Sequence, residues 1–283
     1  PSSAASDVYK RQKLEVKMKE NSIVILDFGS QYNQLIARRV REMGVYAEVV
    51  PYFEPLDKIL ARKPKGIILS GGPASVYIEG APTIDKELYK QGIPVLGICY
   101  GMQLTTHLMG GEVARADKQE FGKAELIIDD ANSPLFKGIP NNSKVWMSHN
   151  DHVTKMAEGF VQIGHTDSCV AATYNKDLNI YCIQFHAEVT HSEHGTDMLR
   201  NFVFNVAKCE LVGKMPIKLT GTDEELDRII KEQKEGAHVF GTDIYRKCDN
   251  AFATYRTDYN IPLGVVKSKY TCLLYTSPSP RDA

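Results

Sequence analysis

The sequence predicts an α/β fold: an open, mostly parallel sheet with flanking helices and a small mixed or antiparallel β extension. Three observations carry this. From Ser22 onward short apolar runs alternate with amphipathic stretches, each helical stretch closes on a stop signal, and beyond residue 109 the pattern changes to shorter β-rich segments. Ile23-Val24-Ile25-Leu26-Asp27 is the first strand, residues 31–43 are a helix ended by Gly44, residues 45–50 are a strand, and Gly66-Ile67-Ile68-Leu69-Ser70 is another. The apolar run 93–98, punctuated by Pro94, reads as a central strand, and residues 103–109 continue in helical spacing. Strands are then expected at 124–128, 144–147, 160–165, 170–174 and 179–185, followed by a closing helix over 195–208.

The two ends read as foreign to the fold. Residues 2–12 and 273–282 back-translate to sequencing-adaptor sequence, and the DNA of residues 7–12 can be written as the reverse complement of that behind 272–277. The expected organisation is therefore an adaptor-derived artefact at 1–12, a catalytic domain at 13–210, an unassigned segment at 211–271 and a second artefact at 272–283. Within the unassigned segment, the sequence predicts a helix capped by Thr222, with acids in its first turn and Gly236 at its end.

The 283 residues carry a formal net charge of -1, with 43% hydrophobic and 24% charged residues. That balance suits a globular chain and gives no basic excess to attract nucleic acid or an anionic membrane. No apolar stretch approaches the roughly 20 residues of a membrane span. The region after residue 12 shows no signal-peptide pattern. Six cysteines show neither a paired framework nor Cys-x-x-Cys spacing, so a reducing cytoplasm is expected and a metal is not.

Chemistry concentrates at three places. Gly97-Ile98-Cys99-Tyr100-Gly101 lies between a strand and a helix, where glycines relieve the crowding of a sharp turn and the helix start aims N–H groups at the sulfur. A thiolate is favoured there. A solitary cysteine is usually a small packed hydrophobe; the glycines, together with a distant His-x-Glu, reverse that expectation. Phe185-His186-Ala187-Glu188 follows an apolar strand, which delivers His186 to the carboxyl edge where open α/β sheets build their sites. His186 can serve the thiol as base and acid, and Glu188 can fix its tautomer. Ser70-Gly71-Gly72-Pro73 ends a strand in a bend whose Gly72 amide, with that of Tyr100, could meet an oxyanion.

On these residues the chain resembles class I glutamine amidotransferases, which have a flavodoxin-like sheet, and within them the glutaminase domain of GMP synthases. Four segments carry the likeness: Ile25-Leu26-Asp27-Phe28-Gly29-Ser30-Gln31-Tyr32 with its following helix, the Cys99 turn through Gln103, Trp146-Met147-Ser148-His149-Asn150-Asp151, and Phe185 through His191. The resemblance implies that Cys99, His186 and Glu188 hydrolyse L-glutamine to glutamate and ammonia through a thioester. It further implies an oxyanion hole from the amides of Gly72 and Tyr100, and a glutamine pocket lined by Gln103, Ser148 and His149. No cofactor is implied for this domain; ATP and Mg2+ belong to a partner synthetase domain or subunit that aminates xanthosine monophosphate. Two departures from the pattern stand out: Ala187 replaces a usual proline, and residues 211–271 lack a Ser-Gly-Gly-x-Asp-Ser ATP loop. Alternatives are an amidotransferase serving an anthranilate or carbamoyl phosphate synthase, a stand-alone thiol hydrolase, or a silent binding module.

Overall fold

Apolar runs that do not alternate belong in the middle of a sheet covered on both faces, and four such runs pack side by side. In the computed structural model, which describes residues 20–210, β1 (Ser22–Asp27), β3 (Gly66–Leu69), β4 (Val95–Ile98) and β9 (Ile180–Ile183) are buried along almost their whole length. With β2 (Tyr46–Pro51) they make five parallel strands in the order β2-β1-β3-β4-β9. Burying each Ile, Leu or Val of these strands contributes about 1.5–3 kcal/mol.

The sheet continues antiparallel through β8 (Val170–Asn175), β7 (Phe160–His165), β5 (Glu112–Ile128) and β6 (Ser143–Lys155), nine strands in all. Among the described residues the α-helices are α1 (Asn33–Glu42), α2 (Leu56–Ala61), α3 (Tyr100–Leu108) and α4 (Gly195–Asn201), the last running on into a π-turn at Phe202–Val206. The expected parallel sheet with an antiparallel extension is what forms. The extension is larger than expected, because the β5–β6 hairpin reaches far past the segments at 124–128 and 144–147. Its outer arm carries Arg115, Glu120, Lys123 and the exposed Phe121, and none of its described side chains from residue 112 to 125 is fully buried, so little there imposes an apolar alternation. The helix after Cys99 begins at Tyr100, three residues before the expected start.

Register sets the site. Pairing of Ile98 with Ile183 across β4 and β9 places the residue after each strand at one edge, so Cys99 and the segment from Gln184 to Glu188 emerge together. Leu69 opposite Gly97 brings the Gly71-Gly72 bend to the same edge. Within the described residues, 20–40 and 45–210 cluster as one unit. The readings at residues 1–19 and 211–283, including the Thr222 helix and both artefact ends, lie outside the described residues. Among the described residues no helix is long and apolar enough to cross a membrane.

Candidate active site

Cys99 has φ 52° and ψ −104°, a strained combination for a residue with a side chain, and it caps the start of α3. The strain is held by neighbours. The Cys99 amide donates to the Ile183 carbonyl at 2.8 Å, and its own carbonyl accepts from the amides of Met102 and Gln103. Strand and helix approach so closely at this elbow that a Cβ on Gly101 would lie 2.5 Å from the Leu69 carbonyl oxygen, and one on Gly97 would lie 2.7 Å from Gly101. Only glycine fits at either position.

The Cys99 sulfur is 3.8 Å from the Ser148 carbonyl oxygen and accepts from the Gln184 amide nitrogen at 3.6 Å. His186 Nδ1 lies 2.7 Å from Glu188 Oε1, and Glu188 is fully buried. Burial works against a charged ring. The Glu188 carboxylate and a hydrogen bond with the Cys99 side chain outweigh it, holding the His186 imidazole well above its ordinary value. Because Glu188 takes Nδ1, Nε2 is the nitrogen left for the sulfur. A Cβ on Gly71 would sit 3.0 Å from His186 Cε1 and 3.7 Å from Cys99 Cβ, so that glycine keeps the space beside the pair clear.

The backbone around the imidazole is tied down as well. The His186 amide donates to the Trp146 carbonyl at 2.9 Å, the Ser192 hydroxyl donates to the His186 carbonyl at 2.5 Å, and the Trp146 amide donates to that hydroxyl. Arg39 Nε donates to the Glu188 carbonyl at 3.2 Å, and the Tyr32 ring meets the imidazole edge-on at 5.3 Å. Ala187, where the family pattern has proline, does not disturb the His186–Glu188 contact.

A cavity of about 310 Å³ opens beside the sulfur, and its walls include Gly72, Cys99, Gln103, Ser148, His149 and His186. Every pocket residue expected from the sequence is therefore on one wall or another. The details differ by residue. Gln103 spends both amide hydrogens inside the protein, on the Asp151 carbonyl at 2.8 Å and on Gln184 Oε1 at 3.3 Å. His149 Nδ1 donates to the Asp151 carbonyl at 3.0 Å while Nε2 faces Glu120, and burial, against the pull of Glu120, lowers its pKa. Among the described residues no hydrogen bond takes up the amides of Gly72 or Tyr100, which border the cavity and the sulfur's helix.

Sequence reasoning missed Asp151 as an organiser. Its carboxylate accepts from the Ser75 hydroxyl and from Tyr77 Oη at 2.9 Å, and its carbonyl serves Gln103 and His149, so it ties the loop after the Gly-Gly bend to β6. One signal was available: Met147, His149, Asp151 and Val153 share the buried face of β6 at period two. Gln184 and Ser192 carried no comparable signal.

A family model, glutamine amidotransferase class-I, matches residues 24–206. The chain is 71% identical over 193 residues to a glutamine-hydrolysing GMP synthase of Fusobacterium nucleatum and 55% identical over 201 residues to one of Nitratiruptor sp.. These matches cover 68% and 70% of this chain but only 38% and 39% of the relatives' own length. The crystal structure of a protein from Thermoplasma acidophilum, described as a GMP synthase subunit, superposes with a TM-score of 0.59 at 31% identity, over 66% of this chain and 94% of that one.

Proposed function

The chain belongs to the class-I glutamine amidotransferase family, and on that premise we propose that it is the glutamine-hydrolysing part of a GMP synthase, cleaving L-glutamine to glutamate and ammonia. The supporting observation is the Cys99 elbow meeting the 2.7 Å His186–Glu188 pair at one edge of the sheet, beside a cavity large enough for a small polar substrate.

In this reading the Cys99 thiolate attacks the carboxamide carbon. The resulting oxyanion accepts hydrogen bonds from the amides of Gly72 and Tyr100, donors held in place before the reaction begins. His186, protonated at Nε2, gives that proton to the departing nitrogen as the carbon–nitrogen bond breaks, leaving a γ-glutamyl thioester on Cys99. His186, now neutral, takes a proton from water as it attacks the thioester, and glutamate leaves as the sulfur regains its electron pair. Glu188, 2.7 Å from Nδ1, steadies the imidazolium. Ser148, through its carbonyl, and the wall built on Gln103 and His149 shape the pocket around the amino acid.

The ammonia is delivered to an ATP- and Mg2+-dependent synthetase that aminates xanthosine monophosphate, in the cytoplasm. This chain spans about two fifths of the relatives named GMP synthase, which leaves room in them for such a partner domain. Glutamate release by this chain should rise when a GMP synthase synthetase with ATP, Mg2+ and xanthosine monophosphate is added, with GMP formed from glutamine. Glutamate release unaffected by that partner, or GMP formed only from free ammonia, would overturn the assignment to GMP synthesis.

A further inference from the structure

We propose that Glu120, His149 and Cys169 form a binding site for a divalent transition metal of the zinc class, sharing only His149 with the wall of the Cys99 cavity. The sequence shows no metal spacing because the three donors come from β5, β6 and the turn entering β8. The fold brings one ligand atom of each to within 4.8 Å of the others. An oxygen, an imidazole nitrogen and a thiol sulfur are the donor set zinc takes, with one position left for water.

The hydrogen bonds around the cluster already orient each donor inward. His149 Nδ1 donates to the Asp151 carbonyl at 3.0 Å, which leaves Nε2 with a lone pair; this is how a carbonyl ordinarily fixes a metal-binding histidine. That Nε2 is buried and has no hydrogen-bond partner among the described residues, yet it lies 3.3 Å from Glu120 Oε2. Two lone pairs thus face each other across a gap that a cation would bridge. Glu120 Oε1 is occupied by the Ser168 hydroxyl at 2.5 Å and the Thr166 hydroxyl at 3.4 Å, so Oε2 is the oxygen turned to the nitrogen and sulfur. The Cys169 thiol donates to that same Oε2 at 3.4 Å. On binding, the metal–sulfur bond replaces this S–H bond and the proton leaves to solvent, with no change of oxidation state. The metal would join the β5–β6 hairpin to the β7–β8 turn and hold His149 on the cavity wall.

Cobalt(II) serves as the probe, titrated into the full chain carrying Cys99→Ala so that the catalytic thiol cannot compete. A cobalt–thiolate charge-transfer band saturating at one equivalent, and displaced by Zn2+, is expected. Adding Cys169→Ser abolishes the band, with circular dichroism confirming the fold. Adding Glu120→Gln instead keeps the sulfur but weakens binding by at least about tenfold. No one-equivalent binding, a band that survives Cys169→Ser, or an affinity untouched by Glu120→Gln would each overturn the site. None of these readouts depends on glutamine hydrolysis, so the metal site and the amidotransferase reading fail separately.

Discussion

Glu188→Gln keeps the shape of the carboxylate and removes its charge beside an imidazole it meets at 2.7 Å. At that separation the attraction to a protonated ring is about 6 kcal/mol with an effective dielectric constant near 20. Burying both groups opposes this, and an amide retains a hydrogen bond, so a net loss of about 3–5 kcal/mol for the charged state follows. If His186 must carry a proton to the leaving nitrogen, kcat should fall by about 10²–10⁴-fold while KM changes little. The pH profile gives an independent reading. Glu188 and Cys99 hold the His186 pKa above its ordinary value against burial, so removing Glu188 lowers it and the alkaline limb of kcat/KM moves to lower pH. Glutamate release measured by a coupled dehydrogenase assay across pH tests both effects. A variant within about threefold of wild type, a difference under about 1 kcal/mol, with its alkaline limb unmoved would refute the role given to Glu188.

The raised His186 pKa also predicts a pH-dependent stability: its contribution is fully present below the unfolded value of 6.5 and is lost as pH rises through the folded value, so urea unfolding should show stability declining above neutrality in wild type and a flatter profile in Glu188→Gln. Gly101→Ala places a methyl 2.5 Å from the Leu69 carbonyl, and denaturant titration should show a loss of about 1–3 kcal/mol or more. Asp151→Ala frees Ser75 and Tyr77 from β6, and steady-state kinetics should show a higher KM for glutamine with a smaller change in kcat. Burial pushes the thiols of Cys169, Cys182 and Cys209 up to about 12, so iodoacetamide near neutral pH with a chelator present should label Cys99 ahead of those three, as peptide mapping would show.

The parts of this fold that were legible in the sequence are those where one physical demand dominates. β1 and β3 are buried on both faces and so read as unbroken apolar runs, and the Cys99 elbow needs glycine at 97 and 101 because no other residue fits. His186 and Glu188 were legible because two residues' separation suffices for them to meet. The outer arm of β5 was not, since none of its described side chains from residue 112 to 125 is fully buried and polar residues suit it as well as apolar ones. Asp151 escaped because its partners Ser75 and Tyr77 are 76 and 74 residues away and only the β6 register brings them together. The Glu120–His149–Cys169 cluster escaped for the same reason, its donors lying on three segments.

Acid-quenched mixtures of the chain with glutamine, digested and analysed by mass spectrometry, interrogate the sulfur itself. A glutamyl adduct confined to the peptide bearing Cys99, and absent together with all glutamate release in Cys99→Ala, is the predicted result. Glutamate release that persists in Cys99→Ala, or an adduct on another cysteine, would contradict it.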